Sequence, residues 1–325
     1  MTTFRTLLAI SALSFQALHA EAPPAANSAG FVRSAERADK TTAFETRSAE
    51  YLPAKGDGPA VWLIGVAHIG TPEYYAALQQ QLDRHSVVLF EGVGLGEALK
   101  KGPGSATRDA GVQAGLAKAL GLVFQLDAID YRRPHFLNSD VQPDQLVTEM
   151  KDRAPADSKE KSEDLLGPLM DALHGTGALG AMMNNLISVL GETPAMQEMT
   201  KAVLVEALGR SDELMGLART ASPAMKDLFD VMITKRNSIV LTDLRTQLAR
   251  RKPGETVAIF YGAAHMDDFA ARLRDELHYA PAKDVWLTAF TADPAKGGIN
   301  PVQMRFMIEM AKMQLKALQS PPSAK

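Results

Sequence analysis

The segment "VWLIGVAHIGTPEYYAALQQQLDRHSVVLFEG" (61–92) reads as three elements in a row. "VWLIGV" (61–66) is apolar apart from Gly65, the pattern of a strand buried on both faces. Thr71 is placed to cap a helix with Pro72 at its first position, and the spacing predicts a helix over 72–85. "SVVLFEG" (86–92) is a second buried strand. Strand, helix and strand in so short a span form a βαβ unit, which implies a parallel pair. His85 ends the helix, where a cation suits the helix dipole.

The first strand runs into Gly65-x-x-His68, and "TVAIFYGAAHMDDF" (256–269) repeats the pattern with Gly262-x-x-His265. Glu91 directly follows the strand at 86–90. In open α/β sheets the ligand site lies beyond the carboxyl ends of the strands. If these strands are parallel neighbours, His68, Glu91 and His265 reach one edge of the sheet. Gly65 and Gly262 then serve as backbone positions where the chain turns sharply or a ligand comes close.

The remaining chain extends this α/β pattern. "AFETRSAEYL" (43–52) alternates weakly and is expected as a first, edge strand. "TRDAGVQAGLAKALGLVFQ" (107–125) has helical period, and "DAIDYRRPHFLNSDV" (127–141), broken by Pro134, reads as irregular or hairpin-like. His135 lies in that loop, within reach of a supporting role. From about 143 to 251 the pattern is helical almost throughout, an insertion packed on or over the sheet. A helix over 266–278 and a strand over 284–290 follow. "PVQMRFMIEMAKMQLKAL" (301–318) is an amphipathic helix whose Met stripe reads as core packing.

Composition narrows the class. An apolar fraction of 46% and a charged fraction of 22% are those of a folded soluble chain, and a net charge of −3 with no dense basic stripe argues against nucleic acid. "TLLAISALSFQAL" (6–18) after Arg5 reads as the apolar core of a signal peptide, with cleavage expected after Ala20. Residues 21–41 are expected as a flexible linker, and no later stretch reads as a transmembrane segment. The chain has no cysteine, which removes disulfides, thiolate ligands and thiol nucleophiles. These readings point to a periplasmic or secreted protein.

Two imidazoles and a carboxylate without thiolate suit zinc, manganese, cobalt or iron(II), and three protein ligands leave a position for water. A metal-free site with His68 or Glu91 as general base fits the same residues. The zinc-protease motif His-Glu-x-x-His is absent. In "DLFDVMITKRNSIVLTDLRTQL" (227–248), Arg236 and Asn237 fall mid-helix. An arginine brought to the sheet edge could hold a carboxylate or an oxyanion, although a surface salt bridge is the ordinary expectation.

Gly65-x-x-His68, Glu91, Arg236-Asn237 and Gly262-x-x-His265, in this order, resemble the TraB/GumN family, over roughly 43–290. That family includes the Tiki metalloproteases and the pheromone-shutdown proteins. It is distantly similar to erythromycin esterases and haem-binding ChaN-like proteins. The resemblance implies an EreA/ChaN/Tiki-like α/β fold with a central mixed, partly parallel sheet. It implies a metal-dependent hydrolase with manganese or cobalt, His68, Glu91 and His265 as metal ligands or catalytic groups, and Arg236 binding substrate or polarising the transition state. Asp140, ending "AIDYRRPHFLNSD" (128–140), matches a further family segment. The family's Arg-Asn pair often follows Glu; here it follows Lys235.

The expected organisation is therefore a signal peptide (1–20), a linker (21–41), a TraB/GumN-like domain (42–295, insertion about 143–251), and a C-terminal helix and tail (296–325). The expected function is an exported hydrolase using a divalent metal (Mn, Co or Zn) on peptide, amide or ester bonds, with Glu91, Arg236 and Asn237 as catalytic residues and a peptide or other small molecule as substrate. The competing expectations are a non-catalytic peptide- or haem-binding protein on the same fold and a metal-free esterase.

Overall fold

A computed structural model of the chain describes residues 30–92, 112–141, 177–211, 216, 226 and 229–319. The expected signal peptide, the start of the expected linker, much of the helical insertion and the C-terminal tail lie outside the described residues.

In chain order the elements are β1 (Val32–Glu36), β2 (Thr42–Pro53), β3 (Ala60–Val66), β4 (Ile69–Gly70), α1 (Pro72–Leu82), β5 (Val87–Phe90), α2 (Val112–Ala119), β6 (Val123–Phe124), α3 (Gln125–Ala128) and β7 (Phe136–Asn138). Then come α4 (Gly177–Leu190), α5 (Pro194–Gly209), a π-helical turn (Asp230–Lys235), α6 (Arg236–Arg250), β8 (Thr256–Gly262), a 3₁₀ turn (Ala263–His265), α7 (Met266–Asp275), β9 (Tyr279–Ala292) and α8 (Pro301–Gln319). This is an α/β fold with a mixed sheet. The strands run in the order β1-β2-β3-β8-β5-β7, and β9 pairs with β2 along its other edge. β3, β8, β5 and β7 are parallel, whereas β1, β2 and β9 add antiparallel pairs.

The two strands of the βαβ unit are parallel but not hydrogen-bonded to each other. β8 lies between them, with Val66 opposite Gly262 and Phe90 opposite Phe260. Burial on both faces is why these strands read as unbroken apolar runs. Trp62, Ile64, Phe90 and Phe260 meet Tyr75, Leu78 and Leu82 of α1 on one face. Leu63, Leu89, Ile259 and Tyr261 meet Leu241 and Leu244 of α6 and Phe269 and Leu273 of α7 on the other. α1 begins as expected: Thr71 accepts the Tyr74 N–H at 3.2 Å and Pro72 opens the helix.

Several expectations are corrected. Val32–Glu36, inside the expected linker, pairs in register with Thr42–Thr46 of β2. The segment expected as an edge strand is β2, longer than read and hydrogen-bonded along both edges. The loop before Asp140 contains β7, which extends the parallel sheet beside β5. Such short strands carry no readable alternation; the ladder that stabilises them comes from a distant neighbour. The Met-rich α8 buries Met304 and Ile308 against Ala202 and Ala292 but leaves Val302 and Phe306 exposed. No helix among the described residues is long and apolar enough to cross a membrane.

Candidate functional site

Because β3, β5 and β8 are parallel neighbours with aligned ends, the residues just beyond them share one edge. His68 lies two residues past β3, Glu91 one past β5 and His265 three past β8. The structure brings all three together, with Arg236, Asn237 and Asp140.

Arg236 is the hub. Its Nε and Nη2 donate to Asp140 Oδ1 and Oδ2 at 2.9 and 2.7 Å, a bidentate pair, and Nη2 also donates to Glu91 Oε1 at 2.6 Å. Arg236 is only 4% exposed, and the Asp140 carboxylate is fully enclosed. Asp140 also accepts the backbone N–H groups of Gly92 and Val141 at 3.0 and 2.8 Å. The guanidinium lies over the Tyr261 ring, 5.9 Å from its centroid. The π turn just before Arg236 changes the helix's angular phase where both side chains must face inward. The ordinary expectation of a surface salt bridge is thus replaced by a buried ionic cluster. The guanidinium's donors are largely spent within the protein, which makes Arg236 a holder of Glu91.

Glu91 is fixed at both oxygens, since Gly262 N–H donates to Oε2 at 2.8 Å. Its side chain keeps 17% exposure, so the cluster opens to solvent through it. Burial raises its pKa, but His265, Arg236, His68 and the Gly262 N–H together outweigh that and hold it down at about 2. Asp140 and Glu91 conversely raise the Arg236 pKa against the effect of burial.

Each histidine is anchored through Nδ1 by a carboxamide. His265 Nδ1 lies 2.7 Å from Asn237 Oδ1. The Asn237 amino group donates to His265 O and to Asp268 Oδ2, at 3.1 and 2.8 Å, so its oxygen is left to accept from the imidazole. That assigns the proton to Nδ1 and leaves the Nε2 lone pair 3.8 Å from Glu91 Oε1. Burial lowers the His265 pKa to about 4, which keeps the ring neutral. His68 is the exposed member. Its Nδ1 lies 2.9 Å from Gln125 Oε1, and Gln125 Nε2 donates to Tyr131 OH at 2.7 Å. The β4–β6 ribbon seats Gln125 there, and Gln125 N–H donates to His68 O at 2.8 Å. Gln125 escaped the sequence reading, where it ends an apolar helical run without distinguishing spacing.

The glycines act by leaving space, not by turning the chain. Neither Gly65 nor Gly262 has positive φ. A Cβ on Gly65 would lie 3.2 Å from Arg47 O, and one on Gly262 would lie 3.3 Å from Glu91 Oε2 and 3.5 Å from His68 Nε2. Gly262→Ala is therefore expected to destabilise the fold by about 1 kcal/mol through overpacking. Urea denaturation should register this, and an unchanged midpoint would show that the Glu91 pocket has slack.

Among the described residues, no group of three or more His, Asp and Glu side chains is spaced to hold an ion as it stands. The donor chemistry of His68, Glu91 and His265 nonetheless fits one. The site offers two imidazoles anchored through Nδ1 by side-chain partners, the arrangement typical of metal-binding histidines, beside an ionised carboxylate. His135 is not part of this edge: it precedes β7, at the opposite end of the sheet.

Compared with protein-family models, curated proteins and solved structures, the chain matches none.

Proposed function

We propose that the protein is an exported metal-dependent hydrolase of the TraB/GumN type, acting on peptide, amide or ester bonds, with His68, Glu91 and His265 as its ligand set. The observation that carries this reading is the paired anchoring of both imidazoles at Nδ1, which leaves their Nε2 atoms for the edge occupied by Glu91. The ligands suit manganese, cobalt or zinc. When bound, such an ion would polarise a scissile carbonyl and lower the pKa of its water from about 15.7 towards 7.

The chain's own residues have separable tasks in this reading. A carboxylate held at a pKa near 2 is too weak a base to abstract protons efficiently at neutral pH, which favours a ligand role for Glu91. Arg236, supported by Asp140, fixes the Glu91 carboxylate; Asn237 and Gln125 fix the imidazole tautomers. His68, on the exposed side, is the member an incoming substrate meets first. Export rests on the N-terminal apolar segment at 6–18.

The test is metal content, read independently of turnover. Chelated protein reloaded with manganese, cobalt or zinc and then desalted is expected to retain near-stoichiometric metal by elemental analysis. His68→Ala and His265→Ala should each abolish retention. Gln125→Ala and Asn237→Ala should weaken affinity by roughly 10–100-fold, the usual effect of removing a ligand's supporting partner. A folded protein that retains none of the three metals overturns the proposal.

A further inference from the structure

A cavity of about 490 Å³ opens between β1, the end of α5 and α8. It shares no residue with the cluster around Arg236. Its volume falls within the range of small-molecule pockets, about 300–1,000 Å³. Met304 and Ile308 give it an apolar floor.

Its charged groups are unevenly matched. On the α8 side Arg305 pairs with Glu36 at 3.0 Å and Lys312 with Glu309 at 3.0 Å. Three charged side chains remain on the wall: Lys40, Arg210 and Glu206. Arg210 and Lys40, both on this wall, make no side-chain hydrogen bond or ion pair within 4.0 Å among the described residues. Glu206, only 5% exposed, has the already paired Lys312 as its nearest cation, at 3.8 Å. Thr42 Oγ1, also on the wall, is buried without a hydrogen-bond partner among the described residues. The wall is half open, with Lys40 exposed and Arg210 half-buried, and it offers two cations and one buried, unpaired hydroxyl to an acceptor from outside the chain.

We infer that this cavity binds a small organic carboxylate with a short aliphatic body, its anionic end held by Arg210 and Lys40 and its apolar end on Met304 and Ile308. A cationic ligand would meet two cations and only one carboxylate, and a neutral one would leave the arginine unpartnered. Glu206 does not oppose the anion strongly. Burial raises its pKa, with Glu309 and Glu36 adding to that and Lys312 and Arg210 opposing it, so a proton on Glu206 that could be donated to a bound carboxylate is easier to hold.

The experiment is calorimetric titration of the full chain with 4-methylpentanoate, its neutral amide 4-methylpentanamide, and isopentylamine. A Met methyl-labelled sample assigned through Met304→Leu reports location. The expected result is saturable binding of the carboxylate, at least about tenfold tighter than the amide, with movement of the Met304 methyl resonance. Arg210→Gln should weaken it by about tenfold or more, and Thr42→Val by less. Circular dichroism establishes that both variants are folded. Equal binding of the amide, tighter binding of the amine, a still Met304 resonance, indifference to Arg210→Gln, or no saturable heat would each overturn the assignment.

Discussion

Arg236→Met is expected to lower the stability of the fold by about 3–5 kcal/mol at neutral pH, the usual result of removing one partner of a buried ion pair. One guanidinium serves two carboxylates here, at 2.7 Å to Asp140 and 2.6 Å to Glu91. Without it Asp140 stays enclosed and still accepts the Gly92 and Val141 N–H groups, and among the described residues Glu91 keeps only the Gly262 N–H at hydrogen-bond distance. Arg236→Lys keeps the charge but not the planar fork, so it should fall between wild type and Arg236→Met. The deficit has a predictable pH dependence. In the wild type the Glu91 pKa is depressed to about 2, so its contribution is fully present above the unfolded value of about 4.5 and is lost as pH falls towards 2. After His265, Arg236 is the next largest cause of that depression, so Arg236→Met removes part of it and the two stability curves should draw closer as pH drops through this window. Urea unfolding between pH 7 and 3 measures both effects. A deficit under about 1 kcal/mol, or one that does not change with pH, would mean that the cluster is hydrated and weakly coupled.

The parts of this site that the sequence announced are those tied to a strand end. His68, Glu91 and His265 each follow an apolar run, and the burial on both faces that keeps the run unbroken also fixes where it stops. Strand neighbours were less legible. A strand buried on both faces carries the same pattern whichever strands flank it, so nothing local revealed that β8 separates β3 from β5. Arg236 was misleading for a related reason. Its carboxylate partners lie 145 and 96 positions away, and an arginine on a helix looks the same from its neighbours whether it meets solvent or two buried acids. Asp140 was suggested only through family resemblance, and Gln125 not at all, because its role depends on the short β4–β6 ribbon. Gly65 and Gly262 were legible as special positions but for a different reason than expected: the strands and side chains come too close for a Cβ, and the backbone itself is ordinary.

His85 shows how far a helix-end histidine can depart from its sequence reading, and it supplies the second large effect. As a cation at the end of α1 it would favour the dipole, but the structure buries it to 9% exposure against Trp62, with Nδ1 3.0 Å from Thr256 Oγ1 and Nε2 without a partner among the described residues. Burial, with His135 and Arg84 adding to it, lowers its pKa to about 4. The unfolded chain protonates this residue near pH 6.5, so between 6.5 and 4 the unfolded state binds more protons than the folded one. Stability is therefore lost as pH falls through that window, and His85 alone should account for about 3 kcal/mol of the loss. His85→Phe keeps a ring against Trp62 and removes the ionisation. It gives up the Thr256 contact, at about 1 kcal/mol, but should lose less stability than wild type from pH 7 to pH 4. The difference between the two slopes isolates His85, since the other ionisable groups are common to both chains. Urea midpoints at pH 7, 6, 5 and 4 suffice. Parallel curves would mean that His85 is hydrated and titrates in the folded protein much as it does in the unfolded chain.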